Sequence, residues 1–462
     1  PWGGLVARDL VVYRDSRRDE ERLRVRRVEL TPNWMAWRSG EPFLAGARLR
    51  EAHVSWPLGE GVEAEARRVE ADVEFRPGEV RIQRLRGQVL GFDLDLKGRV
   101  GTEVGRQAAP RDFPVAKTWR QAEFLLKDLG GPARQLEISR FFLGTKPEHE
   151  FLELRVPWVS DGERWMVQGF RLTSATGGGI EGQLAYDGKA ELKGSLKSDL
   201  NPKGLSSLFG PGSTNFWNSL KFEPQNPPLL QLKIFGAGFS PDLIRLEGKL
   251  EAKEMSYKDV PCGILTADLV YAARRENEKN IREIRAMNVK VTSGGGEGKG
   301  EIYYTLDPRF VSFHKVESTL PVREFSHVFG DKVEETLKPY HFIDRPFVTL
   351  EGRIDLEEKF RTKMTATGKS SPGLKYVVAG QELHFQDVDL EVRIEGNEKD
   401  GSRTTVKTRE NRPASLLQGK VSVEVEVEGP VGKKKQRTQI GLEGVDFGET
   451  VKIYFGNKGY GG

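Results

Sequence analysis

Cysteine is almost absent from the sequence: Cys262 is the single cysteine in 462 residues, so the chain cannot form an internal disulfide. We expect this thiol to be a small buried apolar side chain. Long hydrophobic runs are also missing, and none approaches the ~18 residues of a membrane-spanning helix. The sequence opens inside a strand-like pattern, PWGGLVARDL, without a starting Met or a signal peptide. We therefore expect it to be part of a longer protein.

An excess of charge of one sign is lacking as well. The net charge is +4, from 72 basic and 68 acidic residues, and the two kinds alternate along the chain, as in RRDEERLRVRR. A nucleic-acid surface would show clustered basic residues, so we expect no nucleic-acid partner. Hydrophobic residues make up 37% and charged residues 30% of the chain. This composition predicts a thin core and a large wetted surface.

Motifs that carry chemistry are missing too. No G-x-S-x-G elbow is present, and none of the histidines has zinc-site spacing. The glycine-rich stretch SGGGEGKGE (293–301) departs from a phosphate loop, because Ser293 replaces a required Gly and Gly300 a required Ser or Thr. We interpret it as a loop or strand bend. We expect no enzyme activity, no metal and no cofactor. The six histidines are His53, His149, His314, His327, His341 and His384.

Aromatic and basic clusters receive structural interpretations. The tryptophans are spread thinly, and we expect them to be core residues more often than sugar platforms. The basic run GKKKQR (432–437) is expected at a wetted hairpin tip, with contact to acidic headgroups or a partner as the alternative. The tryptophans in question are Trp34, Trp37, Trp56 and Trp119.

Strict alternation of apolar and charged residues is what the sequence has in abundance. Side chains on a strand point to opposite faces with period two, so each such stretch predicts a strand with one apolar and one charged face. Val421, Val423, Val425 and Val427 give the clearest example, separated by Ser and Glu. Other predicted rows are Leu152, Leu154, Val156 and Met287, Val289, Val291. The residues that we expect to line one shared apolar face are Val69, Val73, Phe75, Val80, Ile82, Phe92, Leu94, Leu96, Leu232, Ile234, Leu246, Leu250, Leu269, Val289, Ile302, Leu350, Leu390, Val392, Val423 and Val425.

Helical patterns are few and short. Apolar residues at helical spacing predict helices at 114–129 and 321–338, and residues 201–220 indicate two helical turns around Gly-Pro-Gly. The segments SDLNPKGLSSLFG (198–210) and STLPVREFSHVFG (318–330) match at six positions with a constant offset of 120. Upstream, LTSATGGGIEGQLAY (172–186) resembles VTSGGGEGKGEIYY (291–304), at an offset of about 118. A fixed period predicts supersecondary units stacked end to end.

This period divides the chain into four predicted β-groove units. They are 1–105, incomplete at its start; 106–215, which begins with helix 114–129; 216–335, which ends with helix 321–338; and 336–462, incomplete at its end. No linker rich in Ser, Gly or Pro separates them, which favours one continuous sheet over separate sandwiches or barrels. We therefore expect a mainly β fold: an elongated antiparallel sheet, curled into an open trough, with about three short helices.

An apolar trough of this kind is typical of a ligand or membrane site. An acyl chain supplies a matching surface, because each buried CH₂ is worth ~0.8 kcal/mol, or roughly 10 kcal/mol for about fifteen carbons before losses. Apolar contacts are undirected, so we expect little selectivity for chain type. The expected ligand is a phospholipid or another acyl lipid.

Three stretches resemble the AsmA-like proteins of the bacterial envelope, relatives of TamB. They are GEVRIQRLRGQVLGFDLDLKGRV, PDLIRLEGKLEAKEMSYKDVPCGILTADLVY, and LPVREFSHVFG followed by YHFIDRPFVTLEG. The resemblance is a style of repeat that covers most of the chain. It implies a periplasmic protein anchored in the inner membrane by an N-terminal helix outside this chain. It also implies a β-groove that carries phospholipid between the inner and outer membranes, possible envelope protein partners, and no catalytic motif.

Two other functions remain open at this point. The trough could serve envelope assembly or structure, aiding outer-membrane protein biogenesis by pairing with nascent strands at a sheet edge. The chain could instead be an extracellular β-repeat adhesin that binds glycans. An adhesin would need aromatic and Asn or Asp platforms on the outer face, where Glu, Lys and Arg predominate.

Overall fold

A computed structural model defines the fold over most of the chain. It describes residues 4–13, 21–36, 43–59, 62–89, 92–101, 134–142, 150–160, 164–188, 191–203, 219–223, 225–238, 242–276, 279–306, 308–324, 340–357, 362–378, 381–409, 412–429, 435–446 and 448. These residues divide between two compact units, Pro1–Lys249 and Leu250–Gly462. The four-unit division stays a prediction.

Most of the described residues lie in β-strands. The strands up to the boundary between the units are β1 (Leu5–Tyr13), β2 (Glu21–Pro32), β3 (Leu44–Gly59), β4 (Val62–Arg76), β5 (Glu79–Val89), β6 (Phe92–Gly101), β7 (Arg134–Phe142), β8 (Glu150–Ser160), β9 (Trp165–Ser174), β10 (Gly179–Tyr186), β11 (Leu192–Ser198), β12 (Leu220–Phe222), β13 (Leu229–Gly236) and β14 (Ile244–Tyr257). The remaining strands are β15 (Val260–Glu276), β16 (Lys279–Ser293), β17 (Gly296–Thr305), β18 (Phe310–Ser318), β19 (Tyr340–Phe342), β20 (Phe347–Asp355), β21 (Lys363–Ser370), β22 (Leu374–Val378), β23 (Gln381–Phe385), β24 (Val388–Asn397), β25 (Gly401–Thr408), β26 (Ala414–Leu416), β27 (Gly419–Gly429) and β28 (Lys435–Glu443).

Twenty-five of these strands belong to one antiparallel sheet, and β19, β22 and β23 form a second, three-stranded sheet. In the first unit each strand from β1 to β11 pairs with the next one along the chain, and β11 then pairs with β13. In the second unit the pairing runs β15, β16, β17, β18, β20, β21, β24, β25, β27, β28. The prediction of a mainly β, antiparallel fold is confirmed.

The predicted helices fall mostly outside the described residues. The helix at 114–129 lies there completely. Of the segment 321–338, residues 322–324 form a helical turn and the rest lies outside. Of the segment 201–220, residues 202–203 form a short turn, residue 220 begins β12, and residues 204–218 lie outside. In the part of the chain that the structure describes, 322–324 is the longest helical stretch.

Several hairpins close with tight turns in which two residues have positive φ. Gly294 and Gly295 connect β16 to β17 with φ of +52° and +75°, which confirms that SGGGEGKGE (293–301) is a turn followed by a strand. Lys258 and Asp259, between β14 and β15, adopt φ of +48° and +65° without glycine. This geometry suits two-residue hairpins because its twist matches that of the flanking strands.

β-Bulges interrupt the alternation near the middle of many strands. Six polar, non-glycine residues within strands adopt a left-handed conformation with φ close to +50°. Each is the third residue of a four-residue segment that begins and ends with a side chain of the apolar face, such as Phe313-His314-Lys315-Val316. Bulges bend a strand and increase its twist. The six residues are Asp9, Glu51, Arg68, Glu254, Asn288 and Lys315.

These bulges correct two of the predicted rows. Met287 pairs with Asp268, whereas Ala286 pairs with Leu269 and Val289 with Gly300. The apolar face therefore continues from Ala286 to Val289 and omits Met287.

The second corrected row lies on β8. The pairing register shifts between Phe151 and Glu153, and Phe151 rather than Leu152 packs with Leu154. Leu152 is half exposed. Strict period-two alternation was wrong at both places because the extra residue of a bulge resets which side chains share a face.

Candidate functional site

A row of apolar side chains crosses six paired strands of the second unit, and we call it the central row. Its members are aligned by backbone pairing from each strand to the next, so they lie on the same face of the sheet. Strands lie ~4.8 Å apart, which makes the row about 24 Å long. All six side chains are half-buried. The central row consists of Val316, Leu350, Ala366, Val392, Val406 and Val425.

A second row lies on the same face of this unit. Leu269 pairs with Ala286, Ala286 with Ile302, and Ile302 with Phe313. The bulge at Lys315 brings Phe313 and Val316 to one face, although they are three residues apart. Strand pairing thus aligns predicted lining residues that are far apart in the sequence. Leu269 and Ile302 lie in this second row, and Leu350, Val392 and Val425 lie in the central row.

The first unit has a comparable apolar face. One row runs from β4 to β10 through seven paired positions, six of them apolar side chains and one a glycine. These are Val73, Ile82, Gly98, Ile138, Leu154, Leu172 and Ile180. Leu232 and Ile234 on β13 pair with Leu196 and Gly194. The face is partly a core here: Phe141 and Phe151 stack at 5.2 Å between ring centroids, within a cluster that includes Leu96.

Burial of the predicted lining residues varies along the chain. Val69 and Leu96 are buried in core clusters of the first unit. Phe92 and Leu94 lie on β6, and their side chains are outside the described part of the structure. The other sixteen are half-buried, neither sealed from solvent nor fully open to it. These are Val73, Phe75, Val80, Ile82, Leu232, Ile234, Leu246, Leu250, Leu269, Val289, Ile302, Leu350, Leu390, Val392, Val423 and Val425.

Open space lies over this face at Gly368 on β21. Gly368 pairs with Val348 and Leu390. It lies two residues along β21 from the central-row residue Ala366 and therefore on the same face. A Cβ added to Gly368 would meet no atom within 4 Å. At Gly352 on the neighbouring strand, by contrast, an added Cβ would overlap the Lys363 carbonyl oxygen. The surface over Gly368 therefore has room for a further apolar group.

Protein covers the same face at one end of the second unit. The small sheet β19-β22-β23 packs there, with Leu374 and Leu383 buried against Val388, Ala414, Leu416 and Val421. The predicted lining residues Leu390 and Val423 pack against these clusters. The protein's own side chains therefore cover part of their surface. None of the central-row residues is a member of either cluster.

The opposite face of the sheet carries charge. Lys299 on β17 contacts Glu317 on β18 at 2.9 Å, and Arg403 on β25 contacts Glu426 on β27 at 2.5 Å. The hydrogen bond to Glu317 raises the pKa of Lys299 above its ordinary value. Such exposed pairs add little stability, but they keep this face wetted. The two faces therefore differ as the alternation predicts.

Two stretches 120 residues apart share one local geometry. The Ser198 hydroxyl accepts a hydrogen bond from the Leu200 N–H at 3.1 Å, and the Ser318 hydroxyl accepts one from the Leu320 N–H at 3.1 Å. The residue between the serine and the leucine also bonds alike in the two stretches. The Asp199 N–H donates to the carbonyl oxygen of Gly179 on β10, and the Thr319 N–H donates to that of Glu297 on β17. The matching sequence segments thus form matching turns.

Other sequence interpretations have mixed outcomes. Cys262 is buried, as expected, and burial raises the pKa of its thiol. Trp34 is 56% exposed, so its expected place in a core was wrong. The side chains of Trp37, Trp56 and Trp119 lie outside the described residues. Of GKKKQR, residues 435–437 begin β28 and are exposed, and 432–434 lie outside.

Metal and membrane-spanning features can be assessed for the described ranges. There, no group of three or more His, Cys, Asp or Glu side chains could hold a metal ion. Within the same ranges no helix has the length and apolar character needed to cross a bilayer. No known protein family, curated protein or solved structure matches the chain.

Proposed function

We propose that the apolar face binds lipid acyl chains. The observation that carries the proposal is the central row, six aligned and half-buried apolar side chains beside the open space over Gly368. A fully sealed core would have left these side chains without exposure. An apolar ligand laid along the row would withdraw this surface from water, at about 25 cal/mol per Å².

The dimensions of the row suit a lipid tail. A tail spans half of the bilayer's hydrocarbon core, or roughly 15 Å, and the row is about 24 Å long. The bulges at Asn288 and Lys315 bend β16 and β18, and bending of this kind gives a sheet a concave face. We propose that the apolar face is the concave one and forms a groove, while the headgroup stays in water at its open side.

The same proposal extends to the cellular role. The repeated β pattern and its resemblance to AsmA-like proteins support a periplasmic segment of a bridge-like lipid-transfer protein, held at the inner membrane by a helix outside this chain. The stacked units of ~120 residues would extend the groove, so that phospholipid moves between the inner and outer membranes. The matching turns at Ser198 and Ser318 support such a repeat. Undirected apolar contacts let a lipid slide from row to row without chemistry.

A charge placed in the groove tests lipid binding. Val425→Glu puts a carboxylate in the central row, and Ser422→Glu puts one on the opposite, exposed face of the same strand β27. We expect Val425→Glu to lose most of the lipid that the wild type retains in native mass spectrometry, because a charge is costly to bury beside an acyl chain. Ser422→Glu should retain it. Equal lipid in both variants would contradict the proposal.

Transfer is tested separately from binding. Donor vesicles with a fluorescent phospholipid and a quencher are mixed with acceptor vesicles, and dequenching is followed with and without the protein. We expect the wild type and Ser422→Glu to accelerate transfer and Val425→Glu to be slower. If the protein binds lipid but does not accelerate transfer between vesicles, it is a lipid-binding protein and the transfer role is refuted.

A further inference from the structure

An exposed apolar tip lies at the turn between β2 and β3. Trp34, Met35 and Phe43 are 56%, 65% and 59% exposed. Their burial would be expected of such large apolar side chains, and a contiguous exposed group of them is typical of an interaction site. We call these three residues the apolar tip.

Hydrogen bonds connect the described residues around the tip. The Asn33 N–H donates to the Phe43 carbonyl oxygen at 2.7 Å, and the Asn33 carbonyl oxygen accepts from the Ala36 N–H at 3.0 Å. The Asn33 side-chain oxygen also accepts from the Met35 N–H at 3.3 Å. Trp34 meets Phe43 edge-on, with 6.1 Å between ring centroids. These bonds join the backbone next to Trp34 to the backbone of Phe43.

The apolar face of the first unit includes positions on β2 and β3 that are close in sequence to the tip. Leu30 on β2 pairs with Leu5 on β1 and Ala47 on β3, and Ala47 pairs with Val73. Leu5 is itself 55% exposed. The row that starts at Val73 thus extends through Ala47 and Leu30 to Leu5, without a charged residue among these paired positions. Leu30 and Ala47 lie four residues along their strands from Trp34 and Phe43.

We propose that the apolar tip inserts into the interface of a lipid bilayer. Tryptophan is enriched at the membrane–water boundary, where its ring is buried and its N–H meets polar groups. Met35 and Phe43 add apolar area beside it. The nearness of the Val73 row along β2 and β3 favours a bilayer over a protein partner, because a lipid tail leaving the membrane at the tip would meet the apolar Leu30 and Ala47 a few residues further along these strands. The inference rests on the proposed lipid-binding function and names the site where lipid enters.

Vesicle flotation with protein-free phosphatidylcholine vesicles, with and without phosphatidylglycerol, tests the tip. The triple variant Trp34→Ser, Met35→Ser, Phe43→Ser removes it. The matched control, Leu152→Ser, Ile264→Ser, Phe347→Ser, removes three other large apolar side chains that are 50%, 45% and 43% exposed and lie off the apolar face. We expect the tip variant to bind vesicles at least about tenfold more weakly, since three large side chains no longer leave water. The control should bind like the wild type.

Three results would overturn the inference: a wild type that does not float with vesicles, which would point to a protein partner; a tip variant that floats as well as the wild type; or an equal loss in the control. Circular dichroism confirms that both triple variants fold. The tip variant should still load fatty acid supplied in solution, and Val425→Glu should still float without retaining lipid. Failure of the tip is thereby separated from failure of the groove.

Discussion

Arg26 on β2 and Glu51 on β3 face each other at the bulge line of the first unit. Arg26 Nη1 lies 3.0 Å and 2.9 Å from the two carboxylate oxygens of Glu51. The residues on either side pair regularly, Val25 with Ala52 and Arg27 with Arg50. Arg26 and Glu51 therefore lie opposite each other, with both side chains on the charged face. The pair shows how a charged face and an apolar face coexist on a bent strand.

The bulge at Lys315 should depend on its backbone conformation and not on its charge. Lys315 has φ of +50°, a region that costs a residue with a Cβ about 1–2 kcal/mol and a β-branched residue more. We expect Lys315→Gly to be at least as stable as the wild type in urea denaturation, and Lys315→Val to be less stable by about 1 kcal/mol or more. If both variants unfold at the same urea concentration, the strand does not need the left-handed residue.

Two glycines on neighbouring strands should respond oppositely to a methyl group. Gly352 has φ of +126°, and an added Cβ would overlap the Lys363 carbonyl oxygen, whereas Gly368 has open space above it. We expect Gly352→Ala to destabilise the protein by about 1–3 kcal/mol. Gly368→Ala should be neutral or slightly stabilising, because it restricts the unfolded chain. Chemical denaturation of both variants measures the difference, and an equal loss would show that the space over Gly368 is not open.

A larger side chain at Gly368 should compete with lipid. Gly368→Phe fills the open space beside the central row, and Lys369→Phe adds the same ring on the exposed face one residue later. We expect the first variant to bind a fluorescent fatty acid more weakly, by about tenfold, since a ring displaces several CH₂ contacts. The second should bind as the wild type does. Unchanged affinity in Gly368→Phe would mean that lipid does not occupy this part of the face.

The small sheet of the second unit should weaken at alkaline pH. Burial raises the pKa of Tyr340, with a smaller contribution from Tyr376. Above pH 10 the unfolded chain loses this proton before the folded one does, so the free energy of unfolding falls as pH rises. We expect Tyr340→Phe to show a shallower fall between about pH 9 and 11. Denaturation curves for the two proteins across this range decide it, and parallel curves would mean that Tyr340 titrates as it does in the unfolded chain.

Much of the strand content is readable from the sequence because alternation is a local signal. Val421 to Val427 form the middle of β27, and the glycine stretch at 293–301 forms a hairpin. Alternation identifies faces only while the period holds. Residues 313–316 read Phe-His-Lys-Val, and two polar residues between apolar ones mark the bulge in hindsight. Several other bulges have the same signature, which a period-two interpretation overlooks.

Other features depend on contacts that no local pattern specifies. The turns at Lys258-Asp259 and Leu417-Gln418 adopt positive φ without glycine or asparagine, against the usual turn chemistry. The small sheet pairs β19 with β22, which begins about thirty residues later in the sequence. Its packing of Leu383 against Val421 is a tertiary contact. Trp34 was expected in a core because tryptophan is usually well buried, and nothing in its neighbouring residues indicates that the turn points outward.

The location of bound lipid tests the central claim most directly. The purified chain is loaded with a fatty acid that carries a photoactivatable diazirine, irradiated and digested, and the labelled residues are identified by mass spectrometry. We expect labels on the central-row residues Leu350, Val392, Val406 and Val425. Their neighbours on the charged face, Glu351, Arg393 and Glu424, should remain unlabelled. Labels on the charged face, or no labelling above that of the Val425→Glu variant, would contradict an apolar face that holds acyl chains.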